Sequence, residues 1–193
     1  DAIPEDVPVA MADISDLKMT IITNDPAKRY YYTLLFGDKY RVKIATRNVN
    51  IPGIQNFRDL GGYPSYSTKK QVRWGMIYRS AEIDSLECYS RRELRNLGIK
   101  TLIDLRASSE TGRQSPLQKE FNVVHIPLAT GDMENILKGI REEKIKSDTV
   151  YRMVEQMNRD LIDKYTTEYR QIFDILLDKN SYPVVIHCSS GKG

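Results

Sequence analysis

Two cysteines in 193 residues, Cys88 and Cys188, are too few and too far apart for a disulfide framework, and neither has metal-ligand spacing. Both read as free thiols. No apolar run approaches the roughly 20 residues needed to cross a bilayer. The opening "DAIPEDVPVAMADISDLK" lacks the basic and apolar regions of a signal peptide and has no initiator Met. An exported location, periplasmic or secreted, is expected if a signal has been removed, and a cytoplasmic one otherwise. A strong excess of one charge is missing too: 29 Lys and Arg against 26 Asp and Glu leave +3, which gives no argument for a nucleic-acid partner. Any preference for anions must be local. There is no internal repeat and no low-complexity tract.

What is present is globular. Hydrophobic residues make up 40% and charged residues 28%, and the length suits one domain with a small extension. Residues 1–28 read as an irregular lead-in. "RYYYTLLF" and "KYRVKIAT" flank "GD" and predict a β-hairpin with a two-residue turn. "IQNFRDLGGY" predicts a tight loop, since paired glycines open conformations closed to other residues. "VRWGMIYRSA" follows as a strand. "DSLECYSRRELRNLG" predicts a helix with Asp84 as N-cap, an apolar stripe of Leu86, Tyr89, Leu94 and Leu97, and Gly98 as its stop. Cys88, on this helix, is expected to be a half-buried thiol without chemistry.

"KTLIDL" is a short strand ending at Asp104 and Arg106, and "NVVHIPL" is another. From Asp148 to Lys179 apolar residues recur every three or four positions, which predicts one long helix or two joined ones whose stripe is core. "YPVVIHC" closes the pattern as a buried strand. This alternation predicts an α/β fold, a mostly parallel or mixed central sheet flanked by helices, with a small N-terminal β extension.

In such folds ligands bind at the carboxyl ends of strands, where "VVIHCSSGKG" puts His187, Cys188 and the loop Ser189, Ser190, Gly191, Lys192 and Gly193. Small residues let a loop turn its N–H groups inward as an anion nest, which would hold a phosphate and favour a thiolate. A thiolate facing phosphorus can take the phosphoryl group and divide ester hydrolysis into two steps. The competing reading is that Cys188 ends a core strand.

The spelling His-Cys, two residues, Gly resembles the loop of the cysteine-dependent protein tyrosine phosphatases. "NFRDLGGY", "WGMIYRSAEIDSL", "GIKTLIDLR" and the His-Cys loop, in that order, resemble the atypical bacterial tyrosine and lipid phosphatases. The resemblance runs from about Asn56 to the end. It implies the protein tyrosine phosphatase fold, Cys188 as nucleophile, His187 as its orienting neighbour, and no metal or cofactor. It also implies an Arg after Gly193 that grips phosphate in a fork, a task Lys192 does not replace. The chain is therefore expected to be a form cut after its Cys loop, inactive as it stands if that Arg is absent.

Family members commonly place an Asp, proposed as the general acid, where this chain has Gly193. Asp132 in "ATGDMEN" is the first alternative and Asp104 the second, and each has an ordinary loop or capping role as its competitor. Arg58 and Asp59 are read as an internal ion pair that braces the phosphate loop, a structural role preferred to a direct functional one, and Arg106, after "IDL", has the same two readings. His125 is read as structural. Cys-x-x-Gly-Lys-Gly also resembles phosphoinositide phosphatases, where the lysine serves a multiply phosphorylated head group.

The resulting expectation is an N-terminal arm and hairpin over residues 1–50 and a phosphatase-like domain over 51–193. It would hydrolyse phosphate monoesters of phosphotyrosine proteins, of phosphoserine or phosphothreonine, or of a lipid head group. A catalytically inactive phosphate-binding module and a sulfurtransferase are the alternatives, the second opposed by the "NFRDLGG" block.

Overall fold

The computed structural model describes residues 8–23, 28–37, 39–84, 86–108, 116–128, 138–142 and 146–192. The chain divides into two compact units, Asp1–Thr46 and Arg47–Gly193. In the first, a short 3-10 turn at Ile14–Asp16 is closed by a capping box from Asp13. Strands β1 (Tyr31–Phe36) and β2 (Tyr40–Ala45) then pair antiparallel. The register Phe36↔Tyr40 leaves three connecting residues where the sequence suggested two, and Gly37 opens the turn at φ +55°.

The second unit is built on a five-stranded sheet. Its strands are β3 (Arg58–Asp59), β6 (Ile77–Ser80), β9 (Val184–His187), β7 (Thr101–Asp104) and β8 (Asn122–His125), in that spatial order. All neighbours are parallel except β3 with β6. A two-residue pair, β4 (Pro64–Ser65) with β5 (Lys70–Gln71), stands apart from it. The mixed, mostly parallel sheet flanked by helices is the α/β architecture expected. β9 lies in the middle because its Val-Val-Ile run suits burial on both faces, and Val184 and Val185 are fully buried.

Side-chain alternation divides the core in two. Tyr78, Leu102 and Val185 face Leu94 of helix α1 (Cys88–Asn96), together with Phe57, Ile54 and Leu117. Ile103, Val184 and Ile186 face Ile172, Tyr169 and Leu176 of helix α3 (Thr166–Leu177). Each such buried side chain contributes on the order of 1.5–3 kcal/mol.

Three expectations change. The 148–179 region takes the two-helix form of that expectation, α2 (Ser147–Lys164) and α3, separated at Tyr165, but the stripe of α2 is not core: Tyr151 stays 75% exposed and Val154 38%, and Met157 and Leu161 are only half-buried. Periodicity announces an amphipathic helix but not what covers it, and only α3, which feeds β9 directly, is drawn onto the sheet. Helix α1 begins at Cys88 with Glu87 at its N-cap and no side-chain cap, because Asp84 is engaged elsewhere. Cys88 is exposed rather than half-buried.

The paired glycines have a steric reason. A Cβ on Gly61 would lie 2.5 Å from the Trp74 Cα, and one on Gly62, at φ +78°, would enter the indole ring. Arg47 closes the same corner, its guanidinium 4.1 Å from the Tyr63 ring centroid. Gly61→Ala is therefore expected to destabilise by about 2 kcal/mol or more, a fall of about 4–8 °C in melting temperature. An unchanged melting curve would remove the Trp74 contact as the explanation.

Candidate active site

Strands β6, β9 and β7 run parallel, and their last residues Ser80, His187 and Asp104 are in register. Cys188 is thus the first residue past the central strand, at the carboxyl edge where α/β sheets bind ligands. The loop after it is shaped from outside. Arg58 donates to the Gly191 carbonyl at 2.8 Å, Asn56 Nδ2 to the Ser190 carbonyl at 3.1 Å, and the Glu82 N–H to the Ser189 carbonyl at 3.5 Å. In a trans peptide the C=O and the next N–H point in opposite directions. Drawing these three carbonyls outward therefore turns the N–H groups of Ser190, Gly191 and Lys192 the other way. One of them is already aimed at the thiol: Gly191 N–H donates to Cys188 Sγ at 3.2 Å.

The glycine is required at that position. Gly191 has φ +70°, and a Cβ there would lie 2.5 Å from the Ser80 carbonyl carbon. Ser189, Ser190 and Lys192 are exposed. The result is a concave nest of N–H groups around a thiol, able to hold a tetrahedral oxyanion against a sulfur nucleophile.

Beneath the loop, on the α1 side of the sheet, lies a charged network. Arg106, 4% exposed, donates through Nη2 to Asp104 at 2.7 Å and to Asp84 at 2.6 Å, with Glu82 3.5 Å from Nη1. The Asp104 and Asp84 hydrogen bonds hold Arg106 firmly charged. Burial alone would raise the Asp104 pKa, but hydrogen bonds from Arg106, with His187 and the Arg106 charge, bring it below the ordinary value. His125 Nε2 donates to the Arg106 carbonyl at 2.8 Å, a structural role. His187 is 4% exposed, and its Nδ1 has no hydrogen-bond partner among the described residues, with Asp104 Oδ1 at 3.8 Å. Burial pushes its pKa down to about 4 against the pull of Asp104, so the ring is neutral at ordinary pH.

The residues singled out from sequence separate accordingly. Cys188, His187 and Ser189–Lys192 gather at one edge; Asp132 and Gly193 lie outside the described residues. Arg58 does brace the loop, yet not through Asp59. Adjacent strand residues face opposite ways, and the buried Asp59 carboxylate accepts instead from the N–H groups of Gly61 at 2.7 Å and Gly75 at 2.8 Å. Asp104 is excluded as a general acid, being buried, ionised and held by Arg106. Sequence reasoning missed Asn56, Glu82 and Asp84. Asn56 carried one signal, since "NF" precedes the motif and asparagine tolerates its φ of +58°. For the others the contact is purely tertiary.

A sequence profile described as "Tyrosine phosphatase family" matches residues 49–193, which takes in every strand of the sheet. The chain is 39% identical over 66 residues to "Triple specificity protein phosphatase PtpB" of Mycobacterium tuberculosis, covering 34% of this chain and 22% of that one. It is 23% identical over 142 residues to H16_A0669 of Cupriavidus necator, provisionally named a tyrosine-protein phosphatase, covering 72% of this chain and 50% of the relative. The chain thus spans half or less of the length of these curated relatives. A crystal structure of P. aeruginosa TpbA in complex with pTyr aligns at 16% identity and a TM-score of 0.31, over 69% of this chain and 61% of that one, a likeness too slight to argue from.

The neutral His187 has a consequence for stability. Between its ordinary pKa of 6.5 and its folded value of about 4, the unfolded chain takes up a proton that the folded chain does not. Stability is therefore full above pH 6.5 and falls as pH drops through that window, by about 3 kcal/mol at most. Asp104, with its pKa lowered, adds a loss of the same sign at lower pH. Urea unfolding at pH 7, 5.5 and 4.5 should show this slope in the wild type and a flatter one in His187→Gln; parallel profiles would show that another group carries it.

Proposed function

The chain belongs to the tyrosine phosphatase family through residues 49–193, and from that membership we propose that it hydrolyses phosphate monoesters through a phosphocysteine on Cys188. The observation that carries the reading is the loop itself: a thiol past the central strand, receiving the Gly191 N–H at 3.2 Å, with the neighbouring N–H groups turned inward. The Cys188 thiolate attacks phosphorus, forming a P–S bond as the ester P–O bond breaks, and the departing oxygen takes a proton from a carboxylic acid. Water then attacks the phosphocysteine, its proton passing to the same carboxylate, and the P–S bond breaks to release inorganic phosphate and the thiolate. Inward N–H groups stabilise the phosphoryl oxygens in both transition states. His187, neutral and buried at the end of β9, directly precedes the thiol and exchanges no proton.

The acid we propose is Asp132, since Asp104 is spoken for by Arg106. Residues 51–193 are taken as the phosphatase domain and 1–50 as its extension. Phosphotyrosine proteins are the default substrates. The name of the Mycobacterium tuberculosis relative supports a wider range that includes other phosphomonoesters, and the exposed Lys192 beside the loop supports a phosphoinositide head group.

Two measurements test this. Cys188→Ser should abolish turnover of an aryl phosphate at an unchanged melting temperature, whereas Cys88→Ser, exposed at the start of α1, should stay within about twofold of wild type. Turnover surviving Cys188→Ser overturns the assignment, and phosphate binding without any turnover in the wild type leaves a binding module instead. For the acid, Asp132→Asn should slow hydrolysis of alkyl phosphates by about 10²-fold or more while sparing esters of acidic phenols. Equal losses on both removes Asp132.

A further inference from the structure

The face of the sheet opposite the Arg106 network carries a pair of cations that the mechanism above does not use in full. Arg58 and Arg79 are direct cross-strand partners on β3 and β6. Their side chains lie on the face opposite Asp59 and Tyr78, both of which are buried. On the other side of β6, Arg79 is in register with Ile186 of β9. The two-residue period of a strand then makes Cys188 the next residue on that same face. Arg58 already reaches the loop, through the Gly191 carbonyl at 2.8 Å.

Like charges set directly opposite each other across two strands are destabilising. Arg79 is also partly removed from water: burial, then the charge of Arg58, lowers its pKa, while Cys188 and Tyr63 pull it the other way. Its charge is thus felt at the thiol. A dianion held by the N–H nest on this face meets both guanidinium charges, Arg58 from β3 and Arg79 from β6. A guanidinium fork suits phosphate oxygens bidentately, which a lysine does not reproduce.

Resting on the phosphatase reading, we propose that Arg79 is a substrate-binding residue of this site, its guanidinium meeting the phosphate group held by the Cys188 loop from the β3–β6 side. The residue escapes a sequence search because "YRSA" reads as an ordinary strand end, and only the register with β3 and β9 brings it to the thiol.

The test is titration of inorganic phosphate by calorimetry into wild type, Arg79→Gln and Arg79→Lys, alongside their melting temperatures. Arg79→Gln should weaken phosphate binding about tenfold or more and Arg79→Lys by less, with the melting temperature of the Gln variant within about 2 °C of wild type. Phosphate affinity within about twofold of wild type in Arg79→Gln overturns the proposal while leaving the phosphatase reading intact. So does a loss of affinity that tracks a fall in melting temperature, which would make Arg79 structural. A wild type that does not bind phosphate overturns the site and this inference together.

Discussion

A guanidinium taken out of water has to be met by carboxylates, and the carboxyl edge of this sheet is organised around one such cation. Arg106 follows β7, binds Asp104 at the end of that strand, and reaches Asp84 in the segment after β6. Its own carbonyl receives His125 from the end of β8, and Asp104 lies 3.8 Å from His187 at the end of β9. One residue thus links the end of β7 to the segment after β6 through its guanidinium and to the end of β8 through its carbonyl, with His187 of β9 beside it. A neutral residue in its place would leave Asp104 buried without its partner, which is far costlier than the worth of an exposed ion pair. The same arrangement explains why Asp84 does not cap helix α1: a short charge-assisted bond to a buried cation outweighs a cap of roughly 1 kcal/mol.

The strands were legible because their chemistry is local. Val184–Ile186, Leu102–Ile103 and Val123–Val124 are apolar runs that only a covered sheet can bury, and Cys188 with its glycine follows the central one. What lay hidden depends on partners distant in sequence. Arg58 and Asp59 look like an ion pair when read side by side. Strand alternation instead sends one to the Gly191 carbonyl, 133 positions away, and the other to two glycine N–H groups. The stripe on α2 failed for a different reason: amphipathicity is a property of one helix, whereas burial needs a second surface, and Tyr151 and Val154 stay exposed.

The loop shows the same dependence. Nothing in "CSSGKG" compels its amides to face inward, since a glycine-containing loop has many conformations open to it. The choice is imposed by Asn56, Arg58 and the Glu82 N–H, each taking one carbonyl. The "NFRD" motif therefore shapes the Cys188 loop from outside, its Asn and Arg each holding one loop carbonyl.

Register then decides which electrostatics the thiol meets. On the α1 face, Ser80, His187 and Asp104 align, and charge is balanced around a neutral imidazole. On the opposite face Arg58, Arg79 and Ile186 align, and positive charge collects. A slip of one residue between β6 and β9 would exchange these two sets. Such a slip is opposed by Tyr78 and Val185, whose burial on the α1 side would be lost with it. The apolar core thus holds the polar site to one polarity: a neutral imidazole on the α1 face beneath Cys188, and two guanidinium groups on the other.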